Sequence, residues 1–245
     1  MIDFHTHILP GIDDGSRDMD MTIRMLEAER DQSVSHICAT PHFYAHRRSI
    51  EYFLERRNRA LAAVRQELQN RPDLPRITPG AEVLYFTGIE RAEQLPQLCL
   101  EGTNLLLLEM PFGPWNNEMA KAVEHIIQRR GLHVVLAHVE RYERFQKDKG
   151  AWNRILALPL TIQLNGESFI DAGSFLRPNK EHKLSLRLLA ERGNCILGSD
   201  CHNLNNRTPN LTEARMVIEK KAGGVMLAEI DNYTEKLFGH IASAN

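Results

Sequence analysis

Asn104-Leu105-Leu106-Leu107-Leu108-Glu109 is the stretch on which the fold turns. Four consecutive leucines show no alternation of polar and apolar residues. A strand of that kind is covered on both faces, as in a parallel sheet flanked by helices. Reading outward from it, the same grammar repeats. On the N-terminal side, strands are expected at 2–7, 35–40 and 77–83, with helices at 19–32 and 50–70 and a short one at 89–99. On the C-terminal side, a helix is expected at 117–130, closed by Gly131, and strands at 132–137, 160–164 and 195–198. Further helices follow at 181–192, stopped at Gly193, and over 212–239. Alternating strands and helices imply parallel βα units. The expected fold is therefore α/β, with about seven parallel strands and surrounding helices, in one domain spanning 1–245.

The leucine strand ends in an acid, Glu109, and its neighbours end in metal-competent residues too. The first ends in His5-Thr6-His7, where alternation puts both imidazoles on one side. The others end in Thr40-Pro41-His42, Gly80-Ala81-Glu82, Ala137-His138 and Gly198-Ser199-Asp200-Cys201-His202. In a closed parallel barrel these ends converge on one face, where barrel active sites lie, and that convergence favours a barrel over an open sheet. Five histidines and three carboxylates are too many ligands for one tetrahedral ion. They suit two or three divalent ions sharing carboxylates. The mixed N/O set points to Mn, Fe or Zn rather than Ca or Mg. Two ions about 3.5–4 Å apart suit phosphoester hydrolysis by a hydroxide that attacks phosphorus directly. Taken singly, a histidine at a strand end is a capping or surface residue; the joint occurrence carries the argument. His36, His46, His125, His133, His182 and His240 fall outside the pattern and read as structural or surface residues.

The bulk properties exclude other classes. Hydrophobic content of 42%, charged content of 25% and a net charge of −2 over 245 residues are ordinary globular values and give no reason to expect nucleic-acid binding. No apolar run reaches the ~18–20 residues of a membrane span, and residues 1–5 do not begin a secretory signal. Four scattered cysteines read as reduced thiols, so a cytoplasmic protein is expected.

The motifs resemble those of the polymerase and histidinol phosphatase (PHP) superfamily. Asp3-Phe4-His5-Thr6-His7-Ile8-Leu9-Pro10-Gly11-Ile12-Asp13-Asp14-Gly15 is similar to its first motif. The segments at 39–42, 80–82, 108–111, 137–141 and 198–202 match the later ones in order. The Asp-Asp-Gly and His-x-Glu-Arg elements make the chain most similar to bacterial manganese-dependent tyrosine phosphatases of capsular and exopolysaccharide operons. The resemblance implies a distorted TIM-like barrel with three metals, often manganese. It implies that His5, His7, Glu82 and Asp200 hold the first ion. Glu82 would bridge to a second, held also by Glu109 and His138. Asp14, chosen over the adjacent Asp13, would hold the third with His42 and His202. It further implies that Arg141 and Arg207 contact substrate phosphate, as bidentate guanidinium groups do. The substrate would be phosphotyrosine on a bacterial tyrosine kinase that controls polysaccharide synthesis. Loops 43–49, 112–116 and 168–180 are expected at the rim, with Phe43, Tyr44 and Trp115 as candidates to pack against a tyrosyl ring.

Three competing readings remain. Cys201-His202-Asn203-Leu204-Asn205-Asn206-Arg207-Thr208 fits Cys-x5-Arg-Thr, the pattern of cysteine-dependent phosphatases, though without a glycine in the loop. A small substrate such as histidinol phosphate would use the same metals. A non-catalytic scaffold would retain a vestigial metal site.

Overall fold

A computed structural model describes residues 1–174 and 179–242. The elements run β1 (Ile2–Thr6), α1 (Met19–Asp31), β2 (His36–Ala39), β3 (His42–Phe43), α2 (Ile50–Leu68), β4 (Arg76–Pro79), β5 (Glu82–Leu84), β6 (Leu105–Glu109), α3 (Asn117–Arg130), β7 (His133–Leu136), α4 (Gly150–Leu156), β8 (Thr161–Asn165), α5 (Glu167–Ile170), α6 (Lys180–Glu191), β9 (Cys195–Gly198), α7 (Leu211–Ala222) and α8 (Gly224–Ala242). Helix starts follow their capping residues. The side chains of Asp18, Ser49 and Asn116 accept from the backbone N–H groups of Met21, Tyr52 and Met119. Gly131 ends α3 at φ 65°, in the left-handed region.

All strand pairs are parallel, in two sheets ordered β1-β2-β4 and β3-β5-β6-β7-β8-β9. The fold is thus α/β with parallel sheets, as expected, but two expected strands are broken. The strand expected at 77–83 is two, β4 and β5, interrupted at Gly80-Ala81. The one expected at 35–40 ends at Ala39, and β3 resumes at His42 after Pro41, which has no N–H to give a ladder. Each half joins a different sheet. The sheets also adjoin at β1 and β9, where Asp200 N–H donates to His5 O (2.8 Å) and His7 N–H to Cys201 O (2.9 Å). The expected helix at 89–99 is two short 3-10 turns, Ile89–Arg91 and Leu95–Leu98, separated around Ala92 and restarted at Pro96. The C-terminal helix is divided at Gly223 (φ 89°).

The leucine strand behaves as read. Leu106 and Leu108 pack with the helices in the main core, while Leu105 and Leu107 face a second cluster of Phe4, Cys38, Val135, Ile196 and Phe238. Each fully buried leucine contributes about 1.5–3 kcal/mol. Glu109 is next on the Leu105–Leu107 face, which carries it to the end of the strand over that cluster.

Beneath this cluster, His36 packs 4.2 Å from Phe238 and bonds Thr78 Oγ1 at 2.8 Å. Burial, helped by Arg76, lowers its pKa from 6.5 to about 4. The unfolded chain therefore takes up the proton first. The His36 contribution to stability should be flat above pH 6.5 and fall between 6.5 and 4, by about 1 kcal/mol after solvent screening. Denaturant titrations of wild type and His36→Gln across that range test this: the variant should show a shallower acid limb.

Candidate metal centre

Three backbone irregularities aim the ligands. The β1–β2 register slips between Asp3 and Thr6. Phe4 therefore closes the lower cluster while His5 and His7, of opposite parity, also point inward; a bulge re-aims side chains in this way. Ala137 already faces inward, so a regular strand would turn His138 out. His138 instead adopts φ 31°, and its Nε2 reaches Glu82 Oε1 at 2.8 Å. Asp200 is also left-handed, at φ 55°. Positive φ at non-glycine residues is costly and concentrates where function requires it.

Around Glu82 the donor atoms converge. His5 Nε2 lies 3.1 Å from His7 Nε2, 3.2 Å from Glu82 Oε2 and 3.6 Å from Asp200 Oδ1. His7 Nε2 is 3.4 Å from each of those two oxygens. On the other side of Glu82, His138 stands 3.9 Å from Glu109 Oε1. A third group forms where His42 Nε2 and His202 Nε2 each lie 3.5 Å from Asp14 Oδ1. All nine residues singled out as ligands are therefore brought together, in four overlapping groups: His7, Asp14, His42 and His202; His5, His7 and Asp200; His5, Glu82 and His138; and His42, Glu82 and Glu109. Asp14 faces the donors. Asp13 turns away, its Oδ2 bonding His7 Nδ1 at 2.7 Å and accepting from the His42 N–H at 2.9 Å. Gly15 permits that turn, since a Cβ there would strike the His7 carbonyl.

These residues fit divalent ions. Glu82 Oε2, Asp200 Oδ1, His42 Nδ1, His138 Nδ1 and His202 Nε2 are buried without a hydrogen-bond partner. His42 Nδ1 and Glu82 Oε2 are 2.8 Å apart, yet their alignment makes no hydrogen bond. Such atoms are costly unless something satisfies them. Charge tells the same story. Burial opposes ionisation of Glu82, but His5 and His42 hold its carboxyl well below the usual range. Burial likewise opposes charge on His7, yet Asp13 raises it well above 6.5. Burial, followed by the Glu82 charge, pushes Glu109 up to about 8. A cation between Glu82 and Glu109 would relieve the repulsion between these two carboxyls.

Both arginines border this cluster. Arg207 Nη2 is 2.8 Å from Asp200 Oδ1, and Arg141 Nη1 donates to Asp200 Oδ2 at 3.5 Å. With Arg144, Asn165 and Glu181 they line a polar cavity of about 380 Å³ opening beside Asp200. Of the three aromatics expected at the rim, only Tyr44 lies there, stacked on His42 at 5.0 Å. Phe43 (1% exposed) packs on Phe53 in the core, and Trp115 (5%) packs on Trp152 and donates to Pro111 O. Their apolar surface is consumed by packing. A second rim aromatic is Phe112, 41% exposed. Of the rim loop expected at 168–180, residues 175–178 lie outside the described residues, as does the His240 side chain.

The sequence reading missed the supports. Gln163 Oε1 accepts from the His138 N–H at 2.9 Å and lies 3.0 Å from His5 Nδ1. Its Nε2 donates to Asn165 Oδ1, and Asn165 Nδ2 to Asp200 Oδ2, both at 2.9 Å. Gly198 leaves room for this chain, since a Cβ there would lie 2.7 Å from His5 Cβ and 2.8 Å from Gln163 Nε2. The alternation Thr161-Ile162-Gln163-Leu164-Asn165 was the available signal. Asp3, fully buried, accepts from the His5 and Ser199 N–H groups. Glu140 Oε1 accepts from the Asn165 N–H at 3.0 Å, bracing β8. Removing such a support weakens metal binding about 10–100-fold. Asp13→Asn should do so by freeing His7, read as a rise in the Mn dissociation constant by calorimetry; unchanged affinity would remove Asp13 from this role.

Parallel strands ending in clustered histidines and carboxylates, with arginines alongside, define a candidate multi-metal phosphoester site. The model of the Capsular polysaccharide synthesis, CpsB/CapC family matches residues 1–237, and the chain belongs to that family. Among relatives, the tyrosine-protein phosphatase YwqE of Bacillus subtilis is 30% identical over 228 residues, covering 91% of this chain and 85% of the relative. The tyrosine-protein phosphatase CpsB of Streptococcus pneumoniae is 26% identical over 234 residues, covering 94% of each. A solved structure from work on YwqE of Bacillus subtilis and CpsB of Streptococcus pneumoniae, described as unique metal-dependent tyrosine phosphatases, superposes with a TM-score of 0.82. It is 26% identical, covering 98% of this chain and 95% of that one. Among the described residues, no helix is long and apolar enough to cross a membrane.

Proposed function

We propose that this chain is a metal-dependent protein-tyrosine phosphatase, acting on phosphotyrosine of a bacterial tyrosine kinase in capsular or exopolysaccharide synthesis. The carrying observation is the Glu82 carboxylate, which meets His138 at one oxygen and His42, His5 and His7 at the other, with two arginines beside Asp200. His5, His7, Glu82 and Asp200 would hold one divalent ion, Glu82, Glu109 and His138 a second, and Asp14, His42 and His202 a third. Manganese suits the mixed donor set, with iron or zinc as alternatives. Bound ions supply positive charge for phosphate oxygens and a lowered pKa for water.

The chain's own residues do the rest. Arg141 and Arg207 grip non-bridging phosphate oxygens from the open side and orient the ester. Gln163 and Asn165 keep His5 and Asp200 in place, and Asp13 fixes the ring orientation of His7.

The cysteine reading fails on geometry. Cys201 is fully buried, and burial, with Glu29 and Asp3 nearby, pushes its thiol well above the usual range. A thiolate nucleophile needs exposure and a lowered pKa. The deciding experiment is phosphate release from a phosphotyrosine peptide after chelation and readdition of Mn, Fe, Zn or Mg. Release should vanish and return with Mn, and Cys201→Ser should keep most activity. Metal-independent release that disappears in Cys201→Ser would overturn the proposal, and faster turnover of histidinol phosphate would redirect it.

A further inference from the structure

Among the described residues only four large apolar side chains are exposed, Tyr52, Phe112, Met216 and Val225. Phe112 alone of these stands on the metal centre. Its ring stacks on His138 (centroids 5.8 Å apart, planes at 16°), and the Arg141 guanidinium carbon lies 4.9 Å from its centroid. It is supported from behind by Tyr142 at 5.2 Å and Phe145 at 6.1 Å. The backbone is held as well. Pro111 fixes its own φ, the Met110 N–H donates to Tyr142 Oη at 3.1 Å, and the Gly113 N–H to Pro111 O at 2.8 Å. Tyr44 stacks in the same way on His42, with planes at 21°. His42 and His138 each approach one oxygen of the same Glu82 carboxylate at 2.8 Å. The two rings thus stand on the two histidines that flank the central ligand.

We infer that Phe112 and Tyr44, each standing on a histidine that flanks Glu82, form an aromatic slot that selects aryl over alkyl phosphate monoesters; this deepens the phosphatase reading and rests on it. In an aryl ester the ring is bonded directly to the bridging oxygen. With the phosphate gripped at Arg141, that ring lies beside Phe112, whose centroid is 4.9 Å from the guanidinium carbon. An alkyl ester places a narrow methylene there, with no π face to stack. The exposed part of Phe112 is held in place by its contacts to His138, Tyr142 and Phe145, so little ordering is lost on binding.

Calorimetric binding of phenylphosphonate and methylphosphonate to the Mn-loaded protein separates the slot from the phosphate grip. Wild type should prefer phenylphosphonate about tenfold, and Phe112→Ala should cut that preference about fivefold, the scale of one aromatic contact. Phe112→Trp should retain it, and Tyr44→Leu should lower it about threefold. Equal weakening of both ligands in Phe112→Ala would overturn the slot and leave Phe112 as a brace for Arg141; so would wild type showing no preference. A wild type that binds neither ligand and releases no phosphate from a phosphotyrosine peptide would overturn the phosphatase reading itself.

Discussion

Glu82→Gln is expected to lower kcat/KM for a phosphotyrosine peptide by at least about a thousandfold and to reduce bound metal. Four histidines converge on its two oxygens. His138 lies 2.8 Å from one oxygen, and His42, His5 and His7 lie 2.8, 3.2 and 3.4 Å from the other. A glutamine keeps the shape but offers one neutral oxygen where two anionic ones stood. It would therefore lose the proposed bridge between neighbouring ions as well as a full charge at the centre of four histidines. A thousandfold corresponds to about 4 kcal/mol, a modest figure for a buried carboxylate met by four histidines. Metal analysis and kinetics on the same preparation decide the matter. Full metal content with more than a tenth of wild-type turnover would remove Glu82 from its assigned place. A melting curve checks that the variant is folded.

The second large effect is expected from the arginines, with the opposite signature on metal. Arg207→Ala and Arg141→Ala should each cost about 100–1,000-fold in kcat/KM, as loss of one preorganised charge donor does. Bound metal should be unchanged, because neither residue donates to a cation. Product inhibition by inorganic phosphate should weaken in parallel. Lysine at either position should restore little, since one ammonium cannot reproduce the planar fork. Arg207 also lies 2.8 Å from Asp200, so metal analysis is part of the test. If metal is lost with activity, Arg207 serves to hold Asp200, and the phosphate grip falls to Arg141 alone.

Much of this centre could be read before any coordinates. Period and composition placed Leu105–Leu108 in a doubly covered strand, and Glu109 at its end followed. Residues with distinctive chemistry at strand ends announced themselves in the same way. Supports did not, because amides and backbone contacts carry no such mark. Gln163 and Asn165 sit in a strand that shows no histidine or acid, and they reach His5 and Asp200 only because β7, β8 and β9 lie side by side. The choice of Asp14 over Asp13 rests on the resemblance alone, for a related reason. Adjacent acids differ only in which way the turn before Gly15 directs them, and His7, some distance along the chain, decides it. Phe43 and Trp115 show the same limit from the apolar side: an aromatic in a loop is drawn into whatever hydrophobic gap its neighbours leave.

By itself, the sequence determined that this is a parallel α/β protein with nitrogen and oxygen donors gathered at strand ends. Those properties follow from local periodicity and side-chain chemistry, which travel with each segment. Only the tertiary structure decided how these donors reach Glu82. The β1 slip that turns His5 and His7 inward, the left-handed turn at His138 and the two broken strands all depend on pairing between distant segments. A one-residue shift in such pairing reverses every side chain, and no local pattern encodes it.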